Sequence, residues 1–197
     1  MTVGSLAYNA VALARTRMHT RAPMNSMYPM NQTAQAKGSS SRRPPARPAG
    51  RRIQVRRSGV HGKGVFALRP IAAGETIIEY TGEVIDRPEA LRRHPHDPSD
   101  PHHTFYFSLD SGQVIDAKHG GNAARWINHS CAPNCEADEE DGRVFIKALR
   151  DLQPGEELFY DYGLVIDERY TPKLKREYAC RCGAPGCRGT LLAPKRR

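Results

Sequence analysis

The sequence predicts a mainly β fold with irregular connections and few, short helices. β-Branched and apolar residues come in short runs cut by glycine. Two stretches read as hairpins around Asp and Gly turns. Nowhere does the strand–helix–strand alternation of a parallel sheet occur. At 197 residues the chain suits one domain with a tail, long enough for a core without staples.

Taken in order, residues 1–50 show neither helical nor strand periodicity, and "AQAKGSSSRRPPARPAGRR" has the composition of disorder. "RIQVRRS" alternates like a strand, and "GVHGKGVFALRP" is glycine-punctuated and then apolar. "TIIEYTGEVI" is a β-branched run split by Gly82, hence two short strands or one with a bulge. "DRPEALRRH" reads as a short helix with Asp86 as N-cap, Pro88 in the first turn and Pro95 beyond the end. "HPHDPSDPHH" is a loop without ligand rhythm. "TFYFSLDSGQVIDA" is a hairpin turning near Asp110–Gly112, and "GNAARWI" a short helical piece. "CEADEEDGRVFIKALRDL" is a second hairpin with its turn at Asp141–Gly142, and "EELFYDYG" ends in another strand.

Charge is segregated. Residues 1–57 hold eleven Arg/Lys and no acid, while residues 58–197 hold nineteen basic and twenty-one acidic residues. The basicity belongs to an arm, which leaves weak nucleic-acid contact through the leader open beside a plain solvated leader. All five methionines fall in the first thirty residues, so a later start is also open. No apolar run approaches the ~18–20 residues of a membrane span, so no membrane partner is expected. The N-terminus lacks a secretory pattern; its arginines leave only an organellar address open. A soluble intracellular protein follows. The Arg-over-Lys excess, 23 to 7, points to a GC-rich genome. The expected location is a bacterial cytoplasm, with chromosome association open, or the nucleus if the source is eukaryotic.

Three motifs carry chemistry. "ACRCGAPGCRG" places Cys180, Cys182 and Cys187 within eight positions, the rhythm of a metal knuckle lacking one of zinc's four ligands. Five cysteines are an odd number, and intracellular disulfides are rare. "ARWINHSCAPNC" sets Asn128, His129 and Cys131 side by side, with Cys135 four residues on. A Cys131–His129 hydrolytic pair lacks its usual context, and a capped turn around Pro133 is the plainer reading. "LFYDYG" puts Tyr160 and Tyr162 on one strand face, either as core or as phenols facing a pocket. The glycines of "GVHGKG" permit a close backbone approach or only a tight turn, without a phosphate-loop context. The acidic run Glu136–Asp141 reads as a solvated hairpin turn, or as a rim that steers a basic partner.

"HGKGVFA", "IIEYTGEVI", "DAKHGGNAARWINHSCAPNC", "GEELFYDYG" and "CRCGAPGCRG", in this order, closely resemble the SET-domain protein lysine methyltransferases with their cysteine-rich post-SET segment. The resemblance covers roughly residues 52–192 and divides the chain into a disordered leader (1–50), a SET domain (51–165), a linker and post-SET zinc segment (166–192) and a basic tail (193–197). It implies small curved β-sheets around a pseudoknot, in which the NHSC segment and the tyrosine strand thread past each other. It implies Cys131 as the fourth ligand of a structural Zn2+ held with Cys180, Cys182 and Cys187. It leaves Cys135 as a free thiol and an iron–sulfur cluster as the other metal reading.

The resemblance further implies methyl transfer from S-adenosyl-L-methionine to a lysine ε-amine of a basic protein, a histone or histone-like tail. Tyr162 is then the catalytic tyrosine, Tyr80 stands beside the lysine channel, and Tyr160 occupies a Phe/Tyr switch position that favours mono- or dimethylation. Cofactor contacts carried over are His61, Lys63, Asn128 and His129, together with Arg125 and either Phe105 or Tyr106. Arg125 in a surface ion pair is the plain alternative. A catalytically silent SET-fold interaction module and a nucleic-acid-associated zinc protein are the competing classes. The oligomeric state is not legible in the sequence.

Overall fold

The structure, a computed structural model, describes residues 50–94, 104–166 and 168–194. The expectations for the leader, including its nucleic-acid contact, for the loop beyond His94 and for the extreme basic tail lie outside the described residues. Among the described residues no helix is long and apolar enough to cross a membrane.

Among the described residues ten short strands make four small sheets. Strands β1 (Ile53–Arg57) and β2 (Lys63–Ala67) pair antiparallel, closed by the turn that holds His61 and Gly62. Strand β3 (Thr76–Tyr80) joins a three-stranded sheet with β9 (Arg143–Ala148) and β8 (Cys135–Glu140). Strand β4 (Glu83–Ile85) joins another with β6 (Val114–Asp116) and β5 (Tyr106–Ser108). The run through Gly82 is therefore two strands, and they serve different sheets. Glycine is required at that corner because a Cβ on Gly82 would lie 2.7–2.8 Å from backbone atoms of Asp116 and Ala117.

Both expected hairpins form. β8 and β9 turn at Asp141 and Gly142, whose φ angles of 51° and 74° are those a two-residue primed turn demands. β5 and β6 turn through Leu109–Gln113, with Leu109 N donating to Gln113 O at 2.9 Å. Helix α1 (Arg87–Arg93) starts where expected. The Asp86 carboxylate accepts from Glu89 N at 2.8 Å. A 3-10 turn, Ala123–Trp126, is capped by the Asn122 side chain. One element is unexpected: helix α2 (Pro172–Glu177), in the linker, with Thr171 capping Leu174 N and Pro172 in the first turn.

The pairing that positions the site is the smallest. Strand β7 (Asn128–His129) lies parallel to β10 (Phe159–Tyr160), only two residues each. Asn134 locks the same pair of segments together. Its amide nitrogen donates to Glu157 O at 2.8 Å, and its oxygen accepts from Phe159 N at 2.8 Å. The main core, including Val65, Phe107, Ile127, Val144, Ile146 and Leu158, is sealed beneath these crossings, and a smaller cluster of Ile85, Ala90, Tyr106 and Val114 sits under α1. The C-terminal segment returns to this core. Leu192 is buried and bridges Leu164 in parallel.

Candidate active site and four-cysteine centre

Between the β1–β2 turn, β7, β10 and the C-terminal segment lies a cleft of about 320 Å3. His61, Tyr80, Tyr106, Arg125, Asn128, His129, Tyr160 and Tyr162 all line it, with Cys180 and Cys182 at its edge. Residues far apart in the chain thus converge on one concavity. Lys63 and Phe105 are not among its walls.

The three tyrosines differ in what their hydroxyls do. Tyr80 Oη donates to Phe105 O at 3.0 Å, and Tyr162 Oη donates to Ile127 O at 2.9 Å. Tyr160 is 4% exposed, and its hydroxyl has no hydrogen-bond partner among the described residues. The Tyr160 and Tyr162 rings lie 4.9 Å apart, and His129 packs 5.3 Å from Tyr162. Burial, first among the causes, raises all three phenol pKa values above the usual 10. They are neutral at physiological pH. Because Tyr162 spends its proton on Ile127, its remaining capacity is lone-pair acceptance.

The His129 side chain is committed to protein partners. Its Nδ1 accepts from Tyr162 N at 3.1 Å, which puts the ring proton on Nε2, 3.3 Å from Cys131 Sγ. Burial, reinforced by Arg188 and opposed by Asp161, depresses its pKa to about 4. The ring is a neutral strut between a cysteine and the tyrosine segment, leaving only its backbone for a ligand. Asn128 is also committed: its amide nitrogen lies 2.9 Å from Lys63 O, 3.3 Å from His61 O and 3.0 Å from Glu157 Oε1. It pins the glycine loop to β7. Gly64 makes that possible, since a Cβ there would sit 2.1 Å from Glu157 Oε1.

Lys63 turns away from the cleft, its Nζ 4.4 Å above the Trp126 ring. Arg125 stacks on Trp126 (4.8 Å) and Phe105 (5.5 Å) and donates to Ala117 O at 3.0 Å; this replaces the surface ion pair considered from sequence. Phe105 and Tyr106 occupy different surroundings. Phe105 packs edge-on to Trp126, whereas Tyr106 borders the cleft while its hydroxyl reaches into the cluster under α1 and donates to Ala90 O at 3.1 Å. The acidic run is mostly strand β8, Glu136 to Glu140, and only Asp141 stands in the turn. Lys147 bridges Asp138 (2.7 Å) and Glu140 (2.5 Å), Glu139 accepts from Asp110 N, and none of these acids lines the cleft.

Cys131, Cys180, Cys182 and Cys187 bring their sulfurs within 4.8 Å of one another. Cys131 lies 3.8 Å from both Cys180 and Cys187, and Cys182 lies 3.6 Å from Cys187. A tetrahedron with Zn–S bonds of about 2.3 Å has edges of about 3.8 Å, so the four sulfurs fit zinc. Backbone amides of Cys131, Cys182, Arg188 and Gly189 approach these sulfurs at 3.4–3.5 Å, a donor set suited to thiolates. Cys135 stands apart, fully buried at the start of β8. Burial lifts its thiol to about pKa 12.

Sequence reasoning missed two residues. Asp161, between the two tyrosines, receives Arg188 in a bidentate pair at 2.5 and 2.8 Å. Burial opposes its charge, but Arg188 and the Gly163 amide hold its pKa below the ordinary carboxylate value. The charged residue following the last cysteine of the knuckle was the available signal.

Residues 62–163 match the SET domain family. A histone-lysine N-methyltransferase, H3 lysine-4 specific, from Kluyveromyces lactis is 46% identical over 144 residues, covering 71% of this chain and 14% of that protein. The histone-lysine N-methyltransferase ATX2 of Arabidopsis thaliana is 40% identical over 148 residues, 72% of this chain and 13% of that protein. The histone-lysine N-methyltransferase SETD1 of Drosophila melanogaster is 37% identical over 147 residues, 72% of this chain and 8% of that protein. The chain thus spans about one-seventh or less of the length of these relatives. With the family signature running from the glycine loop through the tyrosine strand, this chain belongs to the SET-domain family.

Proposed function

We propose that the chain is a protein-lysine N-methyltransferase that uses S-adenosyl-L-methionine and acts on lysine in a basic protein tail, with histone H3 the first substrate to try. The observation that carries this reading is the convergence of Tyr80, Tyr160 and Tyr162 on one cleft with the glycine loop and β7, in a chain of this family. The names of the relatives support lysine methylation of a histone. Their eukaryotic sources favour the nuclear alternative over a bacterial cytoplasm.

S-adenosylmethionine supplies an electrophilic methyl group on a sulfonium when bound. The residues proposed to hold it are His61, Asn128 and His129, with Tyr106 and Arg125 lining the same cleft. Asn128 acts by fixing the loop, and His129 and Lys63 act through their backbones. A lysine of pKa about 10.4 is some 3.4 units too protonated at pH 7, worth roughly 4–5 kcal/mol. A narrow, apolar channel lowers that cost by desolvation. No phenolate base is available, because burial keeps the three phenols neutral. Tyr162 instead offers its lone pairs to the amine and to methyl C–H groups, orienting the acceptor. Tyr160, with its uncommitted hydroxyl, is the proposed limit on methyl number, favouring mono- and dimethyl-lysine.

The zinc proposed for Cys131, Cys180, Cys182 and Cys187 would be structural, closing the wall formed by the C-terminal segment. Incubation with labelled S-adenosylmethionine and a panel of basic proteins, followed by mapping of the modified lysine, tests the reading. Label on a defined lysine supports it. Donor binding without transfer to any protein would favour the silent module.

A further inference from the structure

The four-cysteine centre touches the backbone around Tyr162 by two routes. The first runs through His129, with Nε2 at Cys131 Sγ (3.3 Å) and Nδ1 receiving the Tyr162 amide (3.1 Å). The second runs through Arg188, the residue after Cys187. Its backbone amide approaches Cys131 Sγ at 3.4 Å, and its guanidinium grips Asp161 with both terminal nitrogens. Asp161 Oδ1 in turn accepts from Gly163 N at 3.0 Å and lies 3.5 Å from His129 Nδ1. Gly163 itself adopts φ 54°, the left-handed conformation that turns the chain out of β10. Every backbone amide from Tyr162 to Gly163 is therefore held by a group that rests on a cysteine of the cluster or on its neighbour.

We propose that Arg188 and Asp161 are a positioning pair, through which closure of the four-cysteine centre sets the backbone on either side of Tyr162. This deepens the proposed function, since it rests on Tyr162 as the residue that receives the acceptor amine. A bidentate guanidinium–carboxylate contact fixes orientation as well as distance. It constrains the Asp161–Gly163 turn in a way that neither the two-residue β10 ladder nor the Tyr162 hydroxyl can. The pair acts on geometry. Its loss shows in turnover rather than in affinity for either substrate.

The test uses the full chain, zinc-loaded, with Asp161→Asn, Arg188→Gln, Arg188→Lys and the double Asp161→Asn/Arg188→Gln variants. Metal content, melting temperature, kcat and the two KM values are read in parallel, with Tyr162→Phe as reference. The expected result is a fall in kcat of about tenfold or more for Asp161→Asn and Arg188→Gln at unchanged KM and full zinc content. The double variant should be no slower than the worse single, and Arg188→Lys should regain part of the rate. Asp161→Asn keeps an acceptor for Gly163 and touches no cysteine, so it carries the test even if Arg188→Gln loses metal. Unchanged kcat in Asp161→Asn, additive losses in the double variant, or a rate that only follows zinc loss would each overturn the pair. If Tyr162→Phe keeps the parent rate, the reading of Tyr162 has failed, which is a separate result.

Discussion

Replacing Tyr160 by Phe deletes one hydroxyl from the floor of the cleft and nothing else. The ring keeps its neighbours, Tyr162 at 4.9 Å and Phe107 at 6.3 Å. The hydroxyl has no protein partner among the described residues, so the fold loses no internal hydrogen bond, and the change in stability should stay below about 0.5 kcal/mol. The effect falls on what the cleft holds. Burial keeps the phenol neutral, so its proton is present for donation to a water or the acceptor amine. One hydrogen bond of about 1 kcal/mol that disfavours a bulkier, methylated amine translates into about fivefold in the relative rate of the next transfer. Mass spectrometry of a lysine peptide over time reads this ratio directly. Wild-type protein should stop mainly at mono- and dimethyl-lysine, and Tyr160→Phe should move the product upward by about that factor at an unchanged melting temperature. Mainly trimethyl-lysine from the wild type, or an unchanged distribution in the variant, would refute the assignment.

Thiol labelling near pH 8 should separate the five cysteines. The native zinc-loaded protein should resist alkylation, a chelator should expose Cys131, Cys180, Cys182 and Cys187, and Cys135 should react only on unfolding. Cys135 is fully buried with its thiol raised to about pKa 12, so it stays protonated at this pH; five labels in the folded, chelated protein would contradict this. Gly82→Ala drives a methyl against the backbone of Asp116 and Ala117 at 2.7–2.8 Å and should cost ~1–3 kcal/mol, or about 2–4 °C in Tm per kcal/mol. Gly59→Ala, with open space around it, is the neutral control, and equal melting temperatures for the two would refute the close-packing argument.

What the sequence disclosed was mostly local. The Asp141–Gly142 turn, the Asp86 cap and the split at Gly82 are each decided by a few adjacent residues, and each formed as read. Helix α2 was equally local, with Thr171 and Pro172 as start signals, but a short charged helix with no buried residue leaves no apolar stripe to notice. The family motifs drew the tyrosines, the glycine loop and the cysteines into one cleft. They did not disclose what each side chain does there. Asn128 meets the loop across 65 residues, and Arg188 meets Asp161 across 27. No periodicity encodes such contacts. Lys63 looked like a cofactor ligand because of its place in the motif, yet the nearest favourable partner for its charge is the Trp126 ring. The motif likewise says nothing of the His129 ring, whose two nitrogens are taken by Tyr162 and Cys131.

The most direct measurement is transfer of labelled methyl from S-adenosylmethionine to a histone H3 peptide, comparing parent and Tyr162→Phe proteins of equal zinc content. Removing the hydroxyl frees Ile127 O and strips the cleft of the lone pairs that orient the acceptor. Loss of one well-placed polar group at a reacting centre typically costs about 100-fold or more in turnover. A drop of that size in kcat, with donor binding retained, is the predicted result. Equal rates for the two proteins, or a parent that binds donor and methylates no lysine, would contradict the assignment of this cleft.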